Sequence, residues 1–175
     1  MPKRRFALAA AALLLVAGCG AEERSEPPAQ QGAPAPPGDL SDVVLRPLEG
    51  PERTIADYGG KILIVNFIAT WNNDSKALVP VMNEIQKNFV KNVTVIGIAI
   101  DEGGPGSLRN FARENDVRFE LFTGGSAIAG RFGAAGRVPR TYVLTREARI
   151  FGRFTGLKEY RHYHEFLIDM YRRRM

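Results

Sequence analysis

Residues 61–80 constrain the fold of this 175-residue chain more than any other segment. They open with the continuous apolar run 62–65, whose β-branched side chains are typical of a strand buried on both faces of a sheet. Four residues that favour helix N-caps follow at 72–75, in the order Asn, Asn, Asp, Ser. Apolar residues then recur at helical spacing, namely Ala77, Leu78, Val81, Met82, Ile85, Phe89 and Val90. The sequence therefore predicts a buried strand, a short loop and an amphipathic helix.

The same segment resembles the active-site region of the thioredoxin superfamily, most closely its membrane-anchored TlpA/ResA-like (redoxin) branch. That branch reads roughly V-N-F-W-A-T-W-C-x-x-C-R-x-E-x-P, and residues 65–67, residues 69–71 and Pro80 match it. Asn72 and Ser75 stand where the family has its two cysteines. Thiol–disulfide exchange needs one thiolate to attack and a second sulfur to leave, and neither an amide nor a hydroxyl can do this. The resemblance implies the family's fold without its chemistry at these two positions.

The first 18 residues have the composition of a bacterial lipoprotein signal peptide. A basic start at 3–5 precedes an apolar run at 6–17 that is too short to span a bilayer as a permanent helix. Residues 16–19, Val-Ala-Gly-Cys, resemble a lipobox, which predicts cleavage before Cys19 and a lipid on its sulfur. An ordinary signal peptide with an incidental cysteine is the alternative interpretation.

Cys19 is the single cysteine of the chain, so the chain cannot form a disulfide within itself. Residues 19–38 are rich in proline and alanine, which predicts an extended tether behind the lipidated cysteine. Residues 39–175 are predicted to form one domain of ordinary size. The formal net charge of +5 includes the three cations at 3–5, so it gives no argument for nucleic-acid binding.

Apolar runs and turn signals in 39–175 predict an α/β domain with a central mixed sheet, flanking helices and an N-terminal β-hairpin. The hairpin is expected at 43–55. Further strands are expected at 62–67, 93–100, 119–122, 142–145 and 150–155, and helices from about Asp74, from Ser107 to 115, at 126–132 and at 158–172. A helix between two buried strands makes a right-handed parallel βαβ unit. This order resembles the thioredoxin fold, in which Val138-Pro139 corresponds to the family's cis-proline.

Two interpretations of the loop at 72–75 are open. In the first, these residues only cap the helix, and Asp74 supplies the negative charge that a helix N-terminus favours. In the second, the loop binds an anionic or peptide ligand together with Lys76, Arg137 and Arg140.

The resemblance also implies a binding site beside the cis-proline. In the family, the backbone next to that proline pairs with an extended substrate segment, and the tryptophan flanks the site. Strand addition of this kind needs no thiol. The candidate binding residues are therefore Trp71, Asn73, Asp74, Val138, Pro139 and Arg140.

Other chemistries lack the residues that they need. Peroxiredoxins place a threonine three positions before the reactive cysteine; Thr70 would put it at Asn73, which cannot reduce a peroxide. Ser75 has no histidine near it in sequence to act as a base. His162 and His164 lie two residues apart on a predicted helix, which is poor geometry for one metal. We therefore predict no catalytic residue, no metal and no cofactor.

The sequence predicts a redox-inactive, lipid-anchored binding or accessory module of the bacterial cell envelope, exported and held at the cell membrane or outer membrane. Its expected partners are the membrane, through Cys19, and an envelope protein or extended peptide. The alternative is an envelope thiol–disulfide oxidoreductase or AhpC/TSA-like redoxin, acting in redox homeostasis or cytochrome c maturation.

Overall fold

Seven strands form one mixed sheet in the order β2-β1-β5-β4-β3-β6-β7. The structure is a computed structural model that describes residues 38–101, 103–133 and 136–173, all within the unit 31–175. The strands are β1 (Val44–Pro47), β2 (Arg53–Thr54), β3 (Ile62–Ile68), β4 (Val93–Ala99), β5 (Glu120–Thr123), β6 (Arg140–Leu144) and β7 (Ile150–Thr155). The helices are α1 (Asn73–Asn88), α2 (Gly104–Glu114), α3 (Gly125–Ala129) and α4 (Tyr160–Arg172). Two 3₁₀ turns span Ile55–Tyr58 and Gly130–Phe132.

The predicted signal peptide, Cys19 and all of the predicted tether except its last residue lie outside the described residues. Within the described part of the chain, no helix is both long enough and apolar enough to cross a membrane.

Strand β3 lies inside the sheet, between β4 and β6, and is buried at all seven of its positions. It pairs in parallel with β4, from Ile62 opposite Val93 to Ile68 opposite Ala99, and antiparallel with β6 on its other side. Apolar side chains on both faces explain this burial, as the continuous run at 62–65 predicted. The parallel β3–α1–β4 unit, the β1–β2 hairpin, the antiparallel β6–β7 pair and the α/β architecture with a mixed sheet are confirmed.

The two faces of β3 contact different parts of the core. Ile62 and Ile64 pack with α1 and α4, whose Met82 and Leu167 are fully buried. Leu63, Val65 and Phe67 pack on the other face. There they meet the segment before β1, the 3₁₀ turn at Ile55–Tyr58 and Phe132. Ile68, Val79, Leu108, Phe111 and Leu121 form a third cluster that holds α2.

Helix α2 begins earlier than predicted. It starts at Gly104 with Gly103 as its N-cap, whereas the sequence predicted a start at Ser107. Pro105 explains the difference, because a proline in the first turn has the backbone φ of a helix and needs no N–H partner. Ser107 therefore lies inside the helix, and its hydroxyl is free to bond elsewhere.

Smaller shifts occur at other ends. Strand β6 begins at Arg140 rather than at 142, and α4 begins at Tyr160 rather than at 158. Helix α1 ends at Asn88, so Val90 falls beyond the helical stripe and is 55% exposed.

Candidate functional site

The candidate site lies where β3 leads into α1. Ala69 continues the buried strand, Thr70 and Trp71 form the turn, and Asn72 has the extended backbone of an N-cap, with φ −89° and ψ 125°. Asn72 is thus the cap among the four capping residues at 72–75, and Asn73 is the first residue of α1. Asn73 and Asp74 are exposed in the first turn, where a carboxylate favours the positive end of the helix.

Asn72 and Ser75 are bonded to each other. The Ser75 N–H donates to Asn72 Oδ1 at 2.8 Å, and the Ser75 hydroxyl donates to the same oxygen at 3.1 Å. The Ala69 N–H donates to Ser75 Oγ at 3.3 Å, and Ser75 is fully buried. The two positions that carry cysteines in the family are therefore side by side, and their polar atoms satisfy the backbone of the loop. This arrangement is a helix cap.

A second hydrogen-bond network ties the loop to β4. The Thr70 N–H donates to Asp101 Oδ1 at 3.1 Å, and the Thr70 hydroxyl donates to Asp101 Oδ2 at 2.7 Å. Ser107 Oγ lies 3.1 Å from Thr70 Oγ1. Because Thr70 gives its proton to the carboxylate, Ser107 is the donor in that last bond. This network was not predicted from the sequence, although Thr70 and Asp101 follow neighbouring parallel strands whose carboxyl ends meet at one edge of the sheet.

A buried polar group lies beneath the loop, on β3 itself. The Asn66 amide donates to the Ile96 carbonyl at 3.2 Å, and the Thr141 hydroxyl donates to Asn66 Oδ1 at 2.8 Å. The Tyr163 hydroxyl lies 3.2 Å from Thr141 Oγ1. Burial raises the pKa of Tyr163 to about 12, although the hydrogen bond with Thr141 opposes this shift. Each of these side chains has at least one hydrogen-bond partner, as buried polar groups usually do.

Trp71 and the Val138-Pro139 segment border the same end of the sheet. Trp71 is 69% exposed, and the Val138-Pro139 peptide bond is cis, as predicted. Arg140 lies opposite Phe67 in the β3–β6 register, so the residues just before it lie beside the end of β3, which leads to Trp71. The Pro139 carbonyl accepts from the Gly156 N–H at 2.9 Å. No residue of the described ranges forms a backbone hydrogen bond with Val138 or Arg137.

A cavity of about 200 Å³ adjoins this segment. The residues that line it are Phe67, Ile100, Ser126, Ala129, Gly136, Arg137, Val138 and Arg140. Arg140 is half-buried; its Nη1 donates to the Gly133 carbonyl at 3.4 Å, while its buried Nε finds no acceptor among the described residues. Gly125 begins the helix that carries Ser126 and Ala129, and a Cβ at Gly125 would lie 2.5 Å from the Ala99 carbonyl oxygen. Only glycine lets the start of α3 approach β4 this closely.

The structure brings some predicted residues together and leaves others apart. Val138 and Arg140 line the cavity and Pro139 lies between them, whereas Asn73, Asp74 and Lys76 are exposed on α1 and do not line it. The contributions of Phe67, Ile100, Ser126 and Ala129 were not predicted, because they come from three separate elements and depend on the packing of α3.

The two histidines of α4, His162 and His164, are half-buried. The His164 ring packs 5.7 Å from Phe89 and 5.5 Å from Tyr160, centroid to centroid. In the part of the chain that the structure describes, no three His, Cys, Asp or Glu side chains are grouped to hold a metal ion.

The model of the AhpC/TSA family matches residues 32–151. The chain belongs to the AhpC/TSA family. The chain is also similar in sequence to two bacterial relatives. The thioredoxin-like protein YneN of Bacillus subtilis is 27% identical over 123 residues, which cover 69% of either chain. The thiol–disulfide oxidoreductase ResA of Bacillus thuringiensis is 24% identical over 131 residues, which cover 74% of this chain and 75% of that protein.

The fold has a matching solved structure. A DsbF homologue from Corynebacterium diphtheriae has a TM-score of 0.68 and 19% identity, and the match covers 75% of this chain and 85% of that one. At this identity the match shows the thioredoxin-like fold alone. The predicted resemblance to the ResA-like redoxins is thus confirmed, and this AhpC/TSA member has its single cysteine at 19, outside the residues that the family model matches.

Proposed function

We propose that this AhpC/TSA family member is a redox-inactive, lipid-anchored binding module of the bacterial cell envelope that holds an extended peptide or protein segment. The observation that carries the proposal is the bonded pair of Asn72 and Ser75 at the family's cysteine positions. These side chains cap α1, and neither can form or break a disulfide.

An oxidoreductase function has only the family itself in its favour. Electron transfer to or from a disulfide needs a thiolate at the helix N-terminus and a second thiol to resolve the mixed disulfide. The described domain contains neither, since Cys19 is the only cysteine of the whole chain. The same absence of a thiol argues against peroxide reduction of the redoxin type.

Exposure and free backbone groups support binding. Trp71 presents a large aromatic surface, and aromatic side chains of this kind anchor many protein interfaces. At the same end of the sheet, Arg137 and Val138 lack backbone hydrogen-bond partners within the described ranges. An extended segment that hydrogen-bonds to this stretch would add a short strand, and the adjoining cavity would receive one of its side chains.

The chain's single tryptophan makes this binding directly measurable. Purified protein is applied to an array of random dodecapeptides, and hits are titrated while the Trp71 fluorescence is followed. We expect a reproducible subset of peptides to bind and to shift the Trp71 emission. The matched variants are Trp71→Ala, which should lose binding on the array, and Val90→Ala, which removes another exposed apolar side chain and should bind normally. If wild type and Trp71→Ala bind the same peptides equally, the proposed site is wrong.

The lipid anchor is tested separately. Export of the full chain in a bacterial host with an acyl-lipid label should give a labelled mature protein that begins at Cys19. Cys19→Ala should yield no label and should accumulate unprocessed precursor. A Cys19→Ala chain that matures normally by mass spectrometry would show an ordinary signal peptide instead.

A further inference from the structure

Two arginines, Arg137 and Arg140, line the cavity beside Val138, and none of the described residues that line it is acidic. The ion pairs found in the described ranges involve other arginines, for example Arg131 with Asp42 at 2.7 Å and Arg53 with Glu120 at 3.0 Å. An arginine pair left without a carboxylate at the edge of a candidate binding site favours an anionic ligand.

Arg140 is held in place for such a ligand. As the first residue of β6 it lies opposite Phe67, which also lines the cavity. Its Nη1 is tied to the Gly133 carbonyl, and its Nε is buried with no acceptor among the described groups. None of the ion pairs found among the described residues includes Arg140. Its charge is therefore available to a ligand in the cavity that it lines.

The shape and lining of the cavity favour a carboxylate on a short apolar stem. Phe67, Ile100, Ala129 and Val138 provide apolar walls, while the guanidinium groups provide planar donors that match the two oxygens of a carboxylate. The cavity adjoins the backbone at 137–138, where an extended segment would lie. The carboxylate in the cavity can therefore be part of the same peptide that pairs with this backbone.

We propose that this cavity binds a carboxylate of the extended segment, so that the preferred partner is an acidic peptide. This inference rests on the proposed function and names the chemistry of its ligand. The carboxylate can come from an acidic side chain or from a free C-terminus, and both present the same two oxygens.

Three pools of heptapeptides test the inference by titration against Trp71 fluorescence in full-length protein. Their N-termini are acetylated, and their random positions exclude Trp, Asp and Glu. The first pool has a fixed central Glu and an amidated end, the second a central Gln and an amidated end, and the third a central Gln and a free C-terminal carboxylate. The variants are Arg140→Gln, Arg140→Lys and Arg137→Gln. Lys91→Gln is the control, because it removes the same charge from an exposed residue. Lys91 precedes the first residue of β4, whereas the cavity lies at the other end of this strand, beside Ile100.

For wild type and Lys91→Gln, we expect a carboxylate pool to bind about tenfold more tightly than the neutral pool, the effect of one charge-assisted hydrogen bond. A preference for the first pool identifies a side-chain carboxylate, and a preference for the third a C-terminus. Arg140→Gln should abolish the preference, and Arg140→Lys should keep part of it. If circular dichroism shows that Arg140→Gln does not fold, the other two variants decide. Loss of the carboxylate preference in Arg137→Gln and a reduced preference in Arg140→Lys support the inference, and an unchanged preference in both overturns it.

The outcomes separate the two proposals. Equal binding of all three pools to wild type overturns the carboxylate inference and leaves the binding function intact. A carboxylate preference that survives in Arg140→Gln also overturns it. No fluorescence change with any pool, at concentrations up to the millimolar range, counts against the binding function itself.

Discussion

At the scale of single residues, Asn72 and Ser75 form a helix cap at the two positions where the family has cysteines. Asn72→Ala removes the acceptor of the Ser75 N–H and should lower the free energy of unfolding by about 1 kcal/mol, the usual effect of losing an N-cap. Asn73→Ala is the matched control, because Asn73 is exposed in the next position and should change stability by less than about 0.5 kcal/mol. Urea denaturation measures both. Equal effects of the two substitutions would mean that Asn72 does not cap α1.

A second residue-scale prediction concerns pH. Burial raises the pKa of Tyr163 to about 12, above the value of about 10 for an exposed tyrosine. The folded state therefore keeps this proton when the unfolded chain has lost it, so the stabilisation is complete below pH 10 and disappears as pH rises through 12. Tyr163→Phe should flatten this decline in unfolding curves recorded between pH 9 and 12. Tyr58 and Tyr171, whose pKa values burial also raises, should account for what remains. An unchanged alkaline slope in Tyr163→Phe would contradict the assignment.

At the scale of elements, the placement of α3 against β4 depends on Gly125. A methyl group there would lie 2.5 Å from the Ala99 carbonyl oxygen, and that backbone belongs to a central strand. Gly125→Ala should therefore destabilise the domain by roughly 1–3 kcal/mol, as overpacking of a tight contact does. Gly130→Ala is the control, since nothing lies within 4 Å of its added methyl group and its φ of −59° suits alanine. If Gly125→Ala and Gly130→Ala unfold at the same temperature, α3 can move away from β4 without cost, which would contradict this prediction.

Elements were predictable where the chain carries a periodic signal, and less so at their ends. The buried runs of β3 and β4 and the stripe of Tyr163, Leu167 and Met170 on α4 follow from hydrophobic spacing alone. The start of α2 was missed because three glycines suggested a turn, while Pro105 made a helix start there favourable. Ser107 consequently serves the Thr70 network rather than the cap.

At the scale of the whole molecule, the sequence indicated the fold and the site's location but not the site's shape. The helix start at 72–75 could be predicted from its capping residues, and the cis Val138-Pro139 bond from the resemblance to the thioredoxin superfamily. The cavity could not, since Phe67, Ile100 and Ser126 meet there only through the sheet order and the docking of α3. Contacts of this kind depend on long-range packing, which no local pattern records.

The central claim is that this AhpC/TSA member keeps the architecture of a thiol site while a hydrogen-bonded cap replaces the chemistry. The most direct measurement is turbidimetric insulin reduction with dithiothreitol, using Cys19→Ser protein with and without Asn72→Cys and Ser75→Cys. The Cys19→Ser protein should match buffer, because it contains no thiol. The variant with both new cysteines should close a disulfide and accelerate the reaction, since the two side chains already meet at 3.1 Å. Turnover above buffer by the Cys19→Ser protein, or two restored cysteines that cannot be oxidised to a disulfide, would contradict the account.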